Sequence, residues 1–344
     1  MRRKSIIAIF LVVFTTMLSS FAFYAYQIIY TPNVLVEAAP LEFAIPQGTG
    51  FKELQNELSK RRIINDPVSF GFLAKLKNLD TSIKPGLYSL DSDMTNIQLI
   101  NLLRSGRQTP VNLTFSNARL LSQLPEKIAR NLEIDSADVA TLMLADSTAQ
   151  YYGFDPQDFI GMFIPNTYQV YRTATAKDIL NRMKQEYDKF WTEERLQKAK
   201  NLNMTQKQVS TLASIVQGET NKMDEVSTIA GVYINRLQRG IPLQADPTLI
   251  YAIGDFSIRR ILNKDKAFDS PYNTYKHKGL PPGPINMPSI RVLDAVLNYE
   301  KHNYLYFCAK EDFSGYHVFA RTLKEHNRNA IKFQRALNRE RIYR

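Results

Sequence analysis

The sequence predicts an α+β protein in which one N-terminal transmembrane helix precedes a small strand–helix–helix–strand module and a larger α+β domain. Three observations predict this architecture. A long uncharged stretch follows the N-terminus, residues 41–114 alternate between strand and helix patterns, and residues 115–344 carry amphipathic helices and short strands. The chain of 344 residues is 44% hydrophobic, which is enough to build two folded domains.

The N-terminal segment has the composition of a membrane span. Three basic residues, Arg2, Arg3 and Lys4, precede a stretch from Ser5 to Tyr30 that carries no charge. Such a stretch exceeds the roughly 20 residues that a transmembrane helix needs. The basic cluster predicts that residues 1–4 stay in the cytoplasm and that the chain after the span lies outside the cytoplasmic membrane.

A cleaved signal peptide, with its cleavage site near Ala22, is the alternative interpretation of this segment. The apolar run is longer than the roughly 7–15 residues of a typical signal-peptide core, which favours a retained single-pass anchor in residues 5–30. The stretch that follows, residues 31–40, contains Pro32 and Pro40 and predicts a short extended linker.

Charge and cysteine content narrow the choice of partners. The formal net charge of +11 suits an acidic partner, such as nucleic acid, anionic lipid or a cell-wall polymer. Because the chain after the span is predicted to lie outside the cytoplasm, nucleic acid is not the expected partner. Because Cys308 is the single cysteine and the four histidines form no HExxH pair, we predict no disulfide, no metal site and no cofactor.

Residues 41–114 predict a small module with the order strand, helix, helix, strand, helix. Leu41 begins an alternating strand that ends in a glycine turn, and the segment from Lys84 to Asp91 is a turn leading into a second strand. A unit of this size and order is similar to LysM, a small module that binds amino-sugar polymers. A spacer without binding function is the alternative.

The larger domain, residues 115–344, is predicted to be mainly helical. We expect a long amphipathic helix from Thr175 to Leu202 and a loop from Phe154 to Tyr171. The helix that begins at Leu323 carries many Arg and Lys residues, which either form a solvated face or contact an acidic surface.

The segment LASIVQGET, Leu212 to Thr220, places a carboxylate at the end of an apolar helix face. Thr205 and Gln208 form the pattern of a capping box that opens this helix. Helical spacing puts Glu219 on the face defined by four apolar residues, Val209, Leu212, Ile215 and Val216. Apolar surroundings disfavour a charged carboxylate, so the pKa of Glu219 should rise and suit a general acid.

Two other interpretations of Glu219 remain open from the pattern alone. The residue is at a predicted helix–helix corner, because a new helix starts near Asp224, and a glutamate there can act as a structural cap. It can also pair with Arg236 or Lys222. Gly218, next to it, removes a side chain at a point where another molecule could approach.

Several long motifs together resemble one known family. LASIVQGET is followed in order by AGVYINRLQRGIPLQADPTLIYAIG, SPYNTYKHKGLPPGPINMPS and GYHVFARTLKEH. These motifs are similar to those of the endolytic murein transglycosylases, also called YceG-like proteins. The similarity extends from about residue 41 to residue 327, and the single N-terminal span fits it.

The resemblance implies a bacterial enzyme anchored in the cytoplasmic (inner) membrane, with its catalytic domain outside the cytoplasm. Such an enzyme cleaves nascent peptidoglycan strands between N-acetylmuramic acid and N-acetylglucosamine and leaves 1,6-anhydro-muramyl ends. The catalytic glutamate of the family corresponds to Glu219, and the LysM-like module to residues 41–114. The implied role is to terminate strand growth beside cell-wall synthases, such as penicillin-binding proteins.

Other residues are weaker candidates for the site. Asp246 either orients a groove residue or assists electrostatically, although an Asp before Pro also forms Asx-type turns. Gln244, Tyr272, Asn273 and Tyr275 are candidates for sugar contacts, because amides and aromatic faces suit glycans. Members of the family often carry a glutamate where this sequence has Ile160, so a mechanism that uses a second carboxylate at that position is in doubt.

Two rival functions follow from the same residues. A muramidase-type hydrolase would use Glu219 with a second carboxylate, which could be Asp246, Asp224 or Glu225. A non-catalytic scaffold would bind glycan through the LysM-like module and recruit cell-wall synthases.

Overall fold

The computed structural model is a mixed α+β structure, as the sequence predicts, and it describes residues 2–36, 38–116, 118–258 and 260–340. The contacts divide the chain into two units. The first runs to Asn112 and includes the short segments Asn131–Glu133 and Gln169–Ala174, and the second holds the remaining residues. The domain ranges given by the sequence stay predictions.

Helix α1 (Arg2–Tyr30) is, within the described ranges, the one helix long and apolar enough to cross a membrane. Its side chains from Ser5 to Tyr24 are exposed rather than buried in the rest of the chain. A signal sequence near the N-terminus has the same properties, so the helix fits both a membrane anchor and a signal.

The first unit contains the predicted order of strand, helix, helix, strand and helix. These elements are β1 (Leu41–Ile45), α2 (Phe51–Lys60), α3 (Pro67–Leu76), β2 (Gly86–Leu90) and α4 (Asn96–Ser105). Strands β1 and β2 pair antiparallel, with Phe43 opposite Tyr88, and both rings are buried in the core of the unit. The likeness to LysM stays a prediction.

The segment after α1 packs within this unit. Pro32 forms an isolated bridge with Thr95, Val34 forms one with Ile64, and the side chain of Val34 is fully buried in the core. These contacts differ from the extended linker predicted for residues 31–40, because Val34 gains more by burying its side chain than by staying extended in water. Glu37, within that predicted linker, lies outside the described residues.

The rest of the chain supplies the further helices and strands, from Val111 onward. In order they are β3 (Val111–Thr114), α5 (Leu124–Ala129), α6 (Ser136–Met143), α7 (Asp146–Tyr151), β4 (Thr167–Val170), α8 (Ala176–Phe190), α9 (Glu193–Asn201), α10 (Gln206–Glu219), α11 (Val226–Gln238), α12 (Asp246–Ile253), α13 (Ile290–Leu297), β5 (Tyr306–Ala309), β6 (His317–Ala320) and α14 (Leu323–Arg339). Strand β3 pairs with β4, and β5 pairs antiparallel with β6. Helices α10, α11 and α13 pack against one another.

The structure corrects two of the predicted elements. The single helix predicted from Thr175 to Leu202 is two helices, because the buried Trp191 leaves the helical conformation and the Thr192 side chain caps α9. The loop predicted from Phe154 to Tyr171 contains strand β4, whose alternate residues Tyr168 and Val170 are buried. The strand has only four residues and lies shortly after Pro165, so its alternation of buried and exposed residues is too brief to recognise in the sequence.

Candidate active site

Helix α10 carries Glu219 to the edge of the second unit's core. The predicted capping box is present, since the Thr205 hydroxyl accepts from the Gln208 N–H at 3.2 Å and Gln208 Oε1 accepts from the Thr205 N–H at 2.9 Å. The predicted apolar face is buried; it consists of Val209, Leu212, Ile215 and Val216. Glu219 is the last residue of the helix, at the corner that precedes α11.

A network of side-chain hydrogen bonds fixes the end of α10. Gln217 Nε2 donates to Asn286 Oδ1 and to the Met287 carbonyl, both at 2.9 Å, and Gln217 Oε1 accepts from the Ser289 N–H at 2.8 Å. Asn286 Nδ2 in turn donates to the Ser214 carbonyl at 2.8 Å. Because these bonds join a loop to the last two turns, they hold the backbone of Glu219 in one position.

Gly218 allows another close contact at this point. A Cβ added to it would lie 2.8 Å from the Pro247 Cβ and 3.0 Å from the Pro247 Cγ, which is too close for real side chains. The missing side chain therefore makes room for Pro247 at the start of α12, next to Asp246. This packing brings the ends of α10 and α12 together.

Glu219 lies in a cavity of about 500 Å³. Its polar lining includes Glu219, Tyr233, Arg236, Gln244, Asp246 and Tyr275. A cavity of this size is in the usual range for a small-molecule or substrate site. All of these residues belong to the second unit.

The carboxyl group of Glu219 is partly shielded from solvent, and the Tyr233 hydroxyl donates a hydrogen bond to Glu219 Oε1. Burial raises the pKa of Glu219 from its ordinary 4.5 to about 7. The Asp246 charge also raises it, whereas the Tyr233 hydrogen bond and the Arg236 charge lower it. Glu219 thus keeps its proton to a higher pH than an ordinary glutamate does.

Among the described residues, Glu219 forms no ion pair with Arg236 or Lys222, and both cations contact other groups. The Arg236 guanidinium donates from Nη1 to the Leu243 carbonyl at 2.6 Å and from Nη2 to Gln244 Oε1 at 3.3 Å. The Lys222 ammonium lies over the ring of Tyr316, 4.6 Å from its centroid. The helix end leaves the glutamate facing the cavity.

Asp246 and Tyr275 form a second polar pair in the same cavity. The Tyr275 hydroxyl donates to Asp246 Oδ1. Burial and this hydrogen bond raise the pKa of Tyr275, so the phenol stays neutral and acts as a donor. Asp246 is the first residue of α12 and is exposed to the cavity.

The remaining sugar-contact candidates divide into two groups. Gln244 lines the cavity, and a positive φ of 52° turns the chain there. Asn273 is fully buried and braces its own loop, donating to the Lys266 carbonyl at 3.0 Å and to the Phe268 carbonyl at 2.7 Å. Tyr272 packs on Tyr251, with ring centroids 4.8 Å apart. The sugar contacts predicted from the sequence stay predictions for all four residues, Gln244, Tyr272, Asn273 and Tyr275.

The structure separates the three candidate second carboxylates. Glu225 is buried and accepts two hydrogen bonds from His317. One comes from the backbone N–H at 2.8 Å and the other from the imidazole Nδ1 at 2.9 Å. Asp224 accepts from the Tyr316 hydroxyl. Only Asp246 of these three lines the cavity of Glu219. Ile160 is buried in a one-turn 3₁₀ helix, Phe159–Met162.

Sequence reasoning missed several residues of the cavity. Tyr233, Lys266, Tyr306 and His326 all line it. Tyr233 is 14 residues from Glu219 and reaches it only because α10 and α11 pack against each other. The sequence holds one indication of this contact, because Tyr233 lies on an otherwise aliphatic face of α11. A buried tyrosine hydroxyl needs a hydrogen-bond partner, which could have pointed to Glu219.

The fold and cavity define an α+β protein whose site is built around one carboxyl group able to hold a proton at neutral pH. The model of the YceG-like family matches residues 43–332. The chain belongs to the YceG-like family.

Named relatives and a solved structure agree with this membership. The endolytic murein transglycosylase of Bacillus subtilis (strain 168) is 30% identical over 305 residues, covering 84% of this chain and 83% of that protein. The protein of the same name from Streptococcus pneumoniae serotype 2 (strain D39) is 28% identical over 369 residues and covers 96% of this chain. The chain spans 65% of the length of that pneumococcal relative.

A crystal structure of a YceG-like protein from Listeria monocytogenes matches the fold with a TM-score of 0.55. The two chains are 30% identical, and the match covers 84% of this chain and 98% of that one.

Proposed function

We propose that this chain is a membrane-anchored lytic transglycosylase that cleaves inside peptidoglycan strands, between N-acetylmuramic acid and N-acetylglucosamine. The observation that carries the proposal is Glu219, a carboxyl group with a pKa of about 7 at the edge of a cavity of about 500 Å³. The names of the relatives from Bacillus subtilis and Streptococcus pneumoniae support the reaction class.

One carboxyl group is enough for this chemistry. Protonated Glu219 gives its proton to the glycosidic oxygen as the bond from that oxygen to C1 of muramic acid breaks. The resulting carboxylate then takes the proton from the muramic 6-hydroxyl as that oxygen bonds to C1. The product is a 1,6-anhydro-muramyl end, no water is consumed, and Glu219 returns to its protonated form.

The neighbours of Glu219 support both steps. Tyr233 holds Oε1 by a hydrogen bond, which leaves Oε2 to carry the exchangeable proton. The charges of Arg236 and Asp246 act on the pKa of Glu219 in opposite directions, and burial sets it near neutrality. A pKa close to the working pH favours a group that must both give and take a proton.

A hydrolase is the second candidate, and Asp246 is the observation that favours it. It lines the same cavity, so it could activate a water molecule while Glu219 acts as the acid. Hydrolysis would leave a reducing end that is heavier by one water than an anhydro end.

The membrane placement is part of the proposal. Helix α1 would cross the cytoplasmic membrane once, with residues 1–4 in the cytoplasm and the chain after Tyr30 outside it. Glycan strands are the proposed substrate, and cell-wall synthases such as penicillin-binding proteins are the proposed protein partners. The module of residues 41–114 would bind glycan in the manner of LysM.

The test uses the full-length chain in detergent micelles with purified, uncrosslinked glycan strands. Products are identified by mass spectrometry for the wild type, Glu219→Gln and Asp246→Asn. Anhydro-muramyl ends that need Glu219 support the proposal. Reducing ends that need both carboxylates would establish the hydrolase, and unchanged glycan with bound protein would establish a scaffold.

A further inference from the structure

One face of α3 exposes three large apolar side chains in a row. Val68, Phe72 and Leu76 are 75%, 61% and 66% exposed, and their spacing of four residues places them on one side of the helix. The opposite side of α3 is buried in the core of the first unit through Phe70, Leu73 and Ala74. A helix that is apolar on both sides is expected to be covered on both.

The first turn of α3 lies beside the end of α1. Asn96 Nδ2 donates to the Ile28 carbonyl at 3.0 Å and to Ser69 Oγ at 3.1 Å, so one side chain joins the two helices. Tyr24 and Ile28 of α1 line one small cavity together with Asp66 and Ser69. The start of α3 is therefore level with the last two turns of α1.

The length of α1 sets the depth of those turns in a bilayer. The helix rises about 30 Å from Ser5 to Tyr24, which matches a hydrocarbon core of about 30 Å. The following residues, which include Tyr26 and Tyr30, then fall in the headgroup region, where tyrosine is favoured. The residues of α3 that contact this part of α1 lie at the same depth.

The charges on and near the exposed face match a membrane surface. Lys75 is exposed on α3, and Lys77 is exposed directly after its end. Lysines beside an apolar stripe are typical of helices that lie in the interface, with the apolar side chains in the acyl region and the ammonium groups among anionic headgroups.

We propose that α3 lies in the outer interface of the same bilayer that α1 crosses, with Val68, Phe72 and Leu76 inserted among the lipids. This inference rests on α1 being a retained membrane anchor. It gives the first unit two attachments to the membrane, one through α1 and one through α3. The unit is then held in a fixed orientation at the surface instead of swinging on a tether.

The test measures the depth of single residues in the full-length chain, reconstituted into vesicles of phosphatidylethanolamine and phosphatidylglycerol. In a Cys308→Ser background, an environment-sensitive fluorophore is placed by Phe72→Cys, by Asn56→Cys on the exposed face of α2, or by Phe14→Cys in the middle of α1. Quenchers are nitroxide lipids labelled near the headgroup, nitroxide lipids labelled near the end of the acyl chain, and aqueous iodide.

The expected result is a different best quencher at each position. The label at position 72 should be quenched several-fold more by the shallow nitroxide than by iodide, the label at 56 by iodide, and the label at 14 by the deep nitroxide. All three positions are exposed, so an unchanged unfolding midpoint is expected for each variant and is measured as a control.

Other outcomes overturn the inference in distinguishable ways. Iodide quenching at position 72 equal to that at 56, with deep quenching retained at 14, removes the α3 contact and keeps the anchor. Loss of lipid quenching at position 14 removes the anchor and the α3 contact together. A label at 72 that is shielded from all three quenchers shows that a protein surface, such as a second copy of the chain, covers the face.

Discussion

Two buried polar clusters in this chain are built in opposite ways. In the first unit, Asn33 and Asn96 lie in a closed network: Asn33 Nδ2 donates to Asn96 Oδ1 at 2.7 Å, and Asn33 Oδ1 accepts from the Asp66 N–H at 2.7 Å. In the cavity of the second unit, Arg236 Nε and His326 Nδ1 are buried without a partner among the described residues.

This difference is the one expected between a cluster that stabilises the fold and a cluster that binds or acts on a substrate. A closed network stabilises one arrangement, because every buried donor and acceptor has a partner. Unpaired buried groups, together with a carboxyl group whose pKa is raised to about 7, are typical of sites prepared for a substrate. The first cluster should therefore govern stability, and the second should govern activity.

The largest expected effect is on activity, from Glu219→Gln. The amide keeps the shape of the side chain and can still accept from Tyr233, but it cannot give or take a proton, so the rate should fall about 1,000-fold. The rate is measured as anhydro ends formed per unit time on glycan strands.

Asp224→Asn is the matched control for Glu219→Gln, because it also neutralises a carboxylate near the same corner. Asp224 accepts a hydrogen bond from Tyr316 and does not line the cavity. The rate of the Asp224→Asn variant should therefore stay within a factor of about two of the wild-type rate. Equal losses from the two substitutions would mean that Glu219 has no special role.

The next effect is on stability, from Asn96→Ala in the first unit. The substitution removes three hydrogen bonds of the network, which join Asn96 to Asn33, Ser69 and the Ile28 carbonyl, at a cost of about 2 kcal/mol. The unfolding midpoint of the chain in micelles should fall by several degrees. Asn101→Ala, at an exposed position on the same helix, should leave it unchanged. An equal fall for both variants would contradict the role of the network.

A third effect is a pair of opposite shifts in the pH profile. Tyr233→Phe removes a hydrogen bond that lowers the pKa of Glu219, so the alkaline limb of kcat/KM should move to higher pH, with a rate about 10-fold lower. Asp246→Asn removes a negative charge that raises the pKa of Glu219, so the limb should move to lower pH.

The profiles are recorded on glycan strands between about pH 5 and pH 9, the range that spans the expected pKa. Shifts in the same direction for both variants would show that Glu219 is not the group that titrates. Tyr275→Phe is a useful companion, because it removes the partner of Asp246 while leaving both carboxylates in place.

Features set by interactions between neighbouring residues could be predicted from the sequence, and features set by contacts between distant segments could not. The Thr205 capping box and the buried face of α10 are local patterns, and the sequence predicts them along with the position of Glu219. Tyr233 and His326 join Glu219 only through packing between distant segments, which no local period reveals. The break between α8 and α9 at Trp191 could not be predicted for the same reason. There the burial of one indole ring outweighs a continuous helical pattern.

The last and smallest effect is on the free energy of unfolding, which should depend on pH because burial raises the pKa of Glu219. The pKa of Glu219 is about 7 in the folded chain and near its ordinary 4.5 when unfolded, so the folded state favours the protonated form. Below about pH 4.5 both states are protonated and no penalty exists. As the pH rises from there to about 7, the unfolded chain loses its proton first, and folding becomes less favourable.

Glu219→Gln removes this titration, so the variant should be more stable than the wild type at pH 8, and the difference should shrink as the pH falls toward 5. Unfolding midpoints of the two chains in micelles at both pH values measure it. A difference of the same size at pH 5 and pH 8 would show that Glu219 ionises freely in the folded state. The proposed reaction would then need another source for its proton at neutral pH, because a freely ionised glutamate cannot act as the acid.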